Sequence, residues 1–73
     1  MPPLPVLSGD AFVKAMERIG YRWVHTRGSH MILAHTSGQR LSVPRHRELD
    51  RGLLRRLIRD ADLTVQQLLE LVK

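Results

Sequence analysis

Residues 21–44 have the sequence YRWVHTRGSHMILAHTSGQRLSVP, in which three short runs suited to β-strands are separated by two turn sequences. The strands that side-chain alternation and turn residues predict run from Tyr21 to a turn at Arg27-Gly28, from Ser29 to His35, and from Arg40 to Val43. Thr36-Ser37-Gly38-Gln39 is typical of the second hairpin turn. Pro44 ends the last strand, because proline has no amide hydrogen to continue a ladder.

Helical patterns lie on both sides of this segment. Ser8 can cap a helix that runs to about Ile19, and Gly52 opens a second helix with an apolar side. Thr64 and Gln67 have the spacing of a capping box before a last helix. The predicted order is therefore α-β-β-β-α-α, an α+β fold with a three-stranded antiparallel sheet and helices on one face. Double-stranded RNA-binding domains have the same order of elements.

The length of the chain limits its organisation. We expect a single domain over residues 1–73, because 73 residues can build only one thin core. The proline-rich residues 1–7 are expected to form a loosely held arm. There is no cysteine, so packing alone must hold the fold. Neither a signal peptide nor a membrane-spanning stretch is recognisable, which favours the cytoplasm and no membrane partner.

The charge of the chain favours a polyanionic partner. Twelve Lys and Arg oppose seven Asp and Glu, for a net charge of +5, and ten of the twelve are arginine, which can hold a phosphate bidentately. Arg51, Arg55 and Arg59 follow one helix edge and are candidate RNA-binding residues. The other interpretation of this edge is a solvated face on which Arg56 pairs with Asp60.

The four histidines are the candidates for acid/base chemistry near neutral pH. His30 stands out because it follows Gly28-Ser29, a flexible turn that lets backbone approach a ligand, with Arg27 beside it. The alternative is that Gly28 only makes the hairpin turn and that His30 is an ordinary strand residue. RNA cleavage needs no cofactor in principle, since a base can take the ribose 2′ proton while the 2′ oxygen attacks the adjacent phosphorus.

The other histidines are weaker candidates. His25 and His35 lie near strand ends, where imidazoles are common without a function. His46 follows Val43-Pro44-Arg45, and this strand exit could bring His46 and Arg45 close to the second strand. No carboxylates are interleaved with the histidines and no short helical histidine pair is present, so we expect no metal site.

Four short motifs together resemble the HicA family, also called YcfA-like. They are Gly20-Tyr21, Gly28-Ser29-His30, Val43-Pro44-Arg45-His46 and Gly52-Leu53-Leu54-Arg55. The resemblance implies a fold like that of double-stranded RNA-binding domains and the activity of an mRNA interferase toxin that cleaves RNA without metal. It also implies a HicB antitoxin that covers the site. The chain departs from the family at Leu53, often Thr, and at Asp62, often Gly or Asn.

These observations lead to one preferred hypothesis about the site. His30 transfers the proton, Ser29 or His46 assists, and Arg27 and Arg45 bind phosphates together with the helix arginines. A non-catalytic RNA-binding domain and a protein-binding module are the alternatives. Alternation does not place His30, because both faces of its strand carry apolar residues. We expect its imidazole on the open side of the sheet, and a buried ring would contradict the mechanism.

Overall fold

The computed structural model describes residues 3–73 and confirms the predicted order of elements. The elements are α1 (Gly9–Glu17), β1 (Tyr21–Arg27), β2 (His30–His35), β3 (Arg40–Pro44), α2 (Arg51–Asp60) and α3 (Val65–Leu71). The three strands form one antiparallel sheet in the order β1-β2-β3. Among the described residues, no helix has the length and apolar character needed to cross a membrane.

Side-chain caps fix the starts of the three helices. Ser8 accepts a hydrogen bond from the Ala11 amide at 3.1 Å, and the capping box of Thr64 and Gln67 is formed in both directions. Both caps were predicted. The cap of α2 was missed: the Asp50 carboxylate accepts from the amides of Gly52 and Leu53, so this helix begins at Arg51 rather than at Gly52.

The end of α1 also differs in detail from the expectation. α1 ends at Glu17, before Ile19, and the chain then turns at Gly20 with a φ of 101°. α2 is followed by Asp62, whose φ of 60° lies in the left-handed region. Aspartate adopts this conformation more readily than most side chains, and it does so here where the resembling family often has glycine or asparagine.

One hydrophobic cluster holds the helices against a single face of the sheet. β2 contributes Met31 and Leu33, β3 contributes Leu41 and Val43, and all four are at most 3% exposed. The helices contribute most of the other large side chains in this cluster, which include Phe12, Met16, Leu54, Leu57, Ile58 and Leu68. Since side chains alternate along a strand, residues 30, 32 and 34 of β2 point to the opposite face.

The segment before α1 is held more firmly than the predicted loose arm. Leu4 and Leu7 are buried in the main cluster, and the carbonyl of Leu7 accepts a hydrogen bond from the Leu49 amide at 2.7 Å. These contacts involve residues far apart in the chain, so no local sequence pattern predicts them. Of the predicted arm, residues 1 and 2 lie outside the described residues.

A β-bulge interrupts β1 at Val24. Trp23 pairs with Leu33 and His25 pairs with Ile32, so Val24 is an extra residue between two consecutive pairs. The indole Nε1 of Trp23 donates to the Thr26 hydroxyl at 3.1 Å, which places side chains three positions apart on the same face. Regular alternation from Tyr21 through Trp23 would put His25 on the face of Trp23, but the extra residue places His25 on the opposite face.

His35 has a structural role at the end of β2. Its ring packs against that of Tyr21 at a tilt of 58°, with the ring centroids 4.8 Å apart. The Ser37 amide donates to Nδ1 at 3.0 Å, so Nε2 carries the proton and donates to the carbonyl of Ile19 at 2.9 Å. Gly20 makes this contact possible, because a Cβ there would lie 2.9 Å from Nε2 of His35.

The comparison of Gly20→Ala with Gly38→Ala tests this packing. Both glycines have a φ near 100°, and so both substitutions carry the strain of a non-glycine residue, about 1–3 kcal/mol. Only Gly20 has a neighbour, since a Cβ at Gly38 would meet open space. We expect Gly20→Ala to lower the free energy of unfolding in urea by about 1 kcal/mol more than Gly38→Ala, the worth of a disturbed hydrogen bond. Equal losses would contradict the role of His35.

Candidate functional site

The register of the sheet defines the face opposite the helices as three rows of three side chains. Cross-strand partners in an antiparallel pair point to the same face. We call this surface the open face, and its rows are Arg22, Ala34 and Arg40; His25, Ile32 and Ser42; and Arg27, His30 and Pro44. The three strands contain no aspartate or glutamate, so the open face carries arginine and histidine without any carboxylate from the sheet.

His30 lies at the end of the open face next to the hairpin turn. A two-residue turn, Gly28-Ser29, joins β1 to β2, and the φ of 60° at Gly28 fits a type II′ turn with glycine at its first central position. Arg27 is the cross-strand partner of His30, which puts the guanidinium stem beside the imidazole. Both side chains are exposed, so His30 is accessible from the open side as expected.

A groove beside the β3 edge extends the surface around His30. It has a volume of about 280 Å³ and lies between the sheet and α2. His30, Arg40 and Ser42 line it from the sheet, and Leu53, Arg56 and Asp60 line it from the helix. Arg40 was not predicted as a site residue, and Arg56 was predicted either to widen the arginine patch on α2 or to pair with Asp60. The helical spacing of residues 53, 56 and 60 could have indicated that these side chains share one side of α2.

The side chain of Arg45 lies on the helical side of the sheet. Its Nε donates to the Asp10 carboxylate at 3.1 Å, and its guanidinium carbon lies 5.4 Å from the centroid of the Trp23 ring. The backbone of Arg45 does approach the hairpin, because its amide donates to the Ser29 carbonyl at 2.8 Å. The strand exit therefore comes close to the turn before His30, but the Arg45 guanidinium does not share the face of His30.

The other predicted site residues do not lie together with His30. His46 is exposed, and its carbonyl accepts from the Gly9 amide at the start of α1 at 2.9 Å. Arg51 is exposed at the start of α2. Arg55 and Arg59 line a separate groove with Asp62 and Thr64, on the flank of α2 that faces α3. These helix arginines thus lie across α2 from the groove that contains His30.

Tyr21, at the end of the sheet away from the Gly28-Ser29 turn, has a shifted pKa. Burial raises the pKa of the Tyr21 phenol above its usual value, and the negative charges of Asp60 and Asp62 raise it further. The neutral phenol is therefore the form that the fold favours. Within residues 3–73, no three histidine, aspartate or glutamate side chains come together as a group that could hold a metal ion.

Comparison with known protein families gives one match that covers this site. A family model described as HicA toxin of bacterial toxin-antitoxin matches residues 9–63, which is more than half of the chain. The chain belongs to the HicA toxin family. The matched range begins with the first residue of α1 and continues past α2, so it includes the whole sheet and His30. No match is found among curated proteins.

Membership of the HicA family carries two direct consequences. The family is one of toxins from toxin-antitoxin systems, and membership implies an antitoxin partner. Helix α3 lies beyond the matched range, yet Leu68 of this helix is fully buried in the main cluster. The site around His30 is therefore part of the family core, while α3 completes the hydrophobic core behind it.

Proposed function

We propose that this HicA toxin is an endoribonuclease that cleaves mRNA with His30 as a proton-transfer residue. The observation that carries the proposal is the position of His30, exposed directly beside Arg27 on a sheet face whose strands contribute no carboxylate. The one carboxylate that lines the adjoining groove, Asp60, belongs to α2. A phosphodiester approaching this face meets positive charge and an imidazole together. A carboxylate at the same place would repel the phosphate and compete for the guanidinium.

The reaction that this arrangement supports is a transesterification of RNA. A base takes the proton of the ribose 2′ hydroxyl, and the 2′ oxygen forms a bond to the adjacent phosphorus. The bond from phosphorus to the 5′ oxygen breaks, and this oxygen receives a proton. The products are a 2′,3′-cyclic phosphate and a free 5′ hydroxyl, so the 2′ hydroxyl distinguishes RNA from DNA as a substrate. The proposed reaction uses no cofactor.

The proposed path of the RNA follows the open face. Arg22, Arg27 and Arg40 stand on its outer strands, and Arg56 continues the positive charge into the groove beside β3. Ser29 lies in the turn before His30, where its hydroxyl can assist at the phosphate. Arg45 supports the site through its backbone contact to Ser29, since its guanidinium is paired with Asp10.

The second part of the proposal is where the antitoxin that family membership implies binds. We infer that the antitoxin is HicB-like and that it inhibits by covering the open face around His30. Because mRNA is the proposed substrate, we place the toxin in the cytoplasm. Competition between the antitoxin and RNA for one face requires no conformational change in a domain of this size.

Replacement of His30 by alanine tests the catalytic role. We expect His30→Ala to lower the rate of cleavage of a single-stranded RNA by at least about 100-fold, the usual contribution of a positioned proton-transfer group. The assay contains EDTA, and cyclic phosphate ends are measured on the products. His30 is exposed, so the free energy of unfolding should change little.

A remote variant controls this comparison. Gln66 is exposed on α3, on the helical side of the molecule, and Gln66→Ala should cleave RNA at the wild-type rate. Equal rates for wild type and His30→Ala would refute the role of His30. Tight RNA binding without cleavage by the wild-type protein would favour a non-catalytic RNA-binding domain instead.

Paired arginine variants distinguish the open face from the α2 flank as the RNA-binding surface. The double variants Arg27→Ala/Arg40→Ala and Arg55→Ala/Arg59→Ala remove the same charge, and all four side chains are exposed. For single-stranded RNA, each lost phosphate contact reduces the slope of log affinity against log salt by about 0.7. We expect a reduction of about 1.4 for the open-face pair and none for the α2 pair, measured in the His30→Ala background. The reverse result would place the RNA along α2.

A further inference from the structure

The bulge at Val24 brings a second histidine onto the face of His30. Without the extra residue, His25 would share the face of Trp23, which lies on the helical side with Thr26 and Arg45. The observed register instead pairs His25 with Ile32, two positions from His30 along β2. Bulges are often found next to active sites, where they redirect a side chain.

The spacing of the two imidazoles suits a phosphodiester between them. His25 and His30 are diagonal neighbours on adjacent strands, a relationship that separates residues by about 7–8 Å. In an in-line displacement the attacking and leaving oxygens lie on opposite sides of the phosphorus. Two groups that serve these oxygens must therefore stand several ångströms apart on one surface, each within about 2.6–3.2 Å of its own oxygen.

Arg27 occupies the position between the two histidines. It is two residues after His25 on the same face of β1 and is the direct cross-strand partner of His30. A guanidinium there can hold the non-bridging oxygens of the phosphate while the imidazoles reach the bridging ones. By contrast, His35 is held in hydrogen bonds to Ile19 and Ser37, and these bonds occupy both of its ring nitrogens.

We propose that His25 is the second proton-transfer residue of this toxin and forms an acid/base pair with His30. The inference rests on the proposed ribonuclease function and adds a residue to it. One imidazole takes the proton of the 2′ hydroxyl as the 2′ oxygen bonds to phosphorus. The other gives its proton to the 5′ oxygen as that bond breaks. The two rings exchange protonation states in the step, and no oxidant, reductant or further reactant is needed.

An activated leaving group tests the pair. The substrate is a DNA strand with one ribonucleotide, placed at a bond that the wild-type toxin cleaves in RNA. It is made in two forms, with oxygen or with sulfur at the 5′ bridging position. A thiolate leaves without being protonated, because thiols are far more acidic than alcohols. Loss of the general acid is therefore harmless on the sulfur substrate, whereas loss of the general base slows both substrates.

We expect His25→Ala and His30→Ala each to lower the rate on the oxygen substrate by at least about 100-fold. The sulfur substrate should restore one of the two variants to within about 10-fold of the wild-type rate and should not restore the other. The wild-type rate should fall at both low and high pH, as expected for an acid/base pair. The rate of each variant should lack one of these two falls. Urea unfolding of both variants verifies that the exposed substitutions leave the fold intact.

Gln66→Ala is the control that should keep the wild-type rate on both substrates, and His46→Ala tests the other exposed histidine that was predicted to assist. Rescue by the sulfur substrate in His46→Ala, instead of in either member of the pair, would overturn the proposal. A wild-type rate for His25→Ala would also overturn it, as would a loss in both variants that sulfur rescues in neither. If the wild-type toxin cleaves no RNA, the ribonuclease function itself fails, which is a different outcome from an active wild type with a dispensable His25.

Discussion

The burial of one face of a three-stranded sheet is the constraint on which the rest of this structure depends. Met31 and Leu33 must face the helices, because within residues 3–73 the helices cover only one face of the sheet. With a period of two along the strand, their burial sends His30 and Ile32 to the other side. A slip of one residue would bury His30 and expose the core. The core and the candidate active site are therefore two results of one register.

The composition of the strands turns the exposed face into a surface for phosphate. Acidic residues occur in the helices and connections but not in β1, β2 or β3, so the positive charge of the sheet is not neutralised locally. The bulge at Val24 increases this effect. The two-residue turn pairs Arg27 with His30, and the extra residue lets His25 share their face while Trp23 remains on the side of α1.

Local chemistry made much of the fold predictable from the sequence. The caps at Ser8 and Thr64, the turn glycines and the apolar periodicities depend on residues close together in the chain, and the structure confirms them. The features that were missed depend on distant partners. The unpaired position of Val24 is set by the pairing of β1 with β2, and the direction of the Arg45 side chain is set by Asp10, 35 residues away.

The residues of the candidate site were also predictable only where the signal is local. His30 could be selected from its turn and its chemistry, since both are local. The grouping of His25 and Arg40 with it could not. Alternation before the bulge gives His25 the wrong face, and the helical spacing of residues 53, 56 and 60 does not show that this side of α2 lies beside Arg40 of β3.

Chemical-shift mapping of RNA on the His30→Ala variant tests most directly the claim that the open face is the RNA surface. We expect the NMR signals of His25, Ile32 and Ser42 to shift when a single-stranded RNA binds, and the signal of the Trp23 indole N–H, on the helical side, to stay unchanged. Shifts confined to Trp23 and to the α2 flank at Arg55 and Arg59, with the open face unchanged, would contradict it.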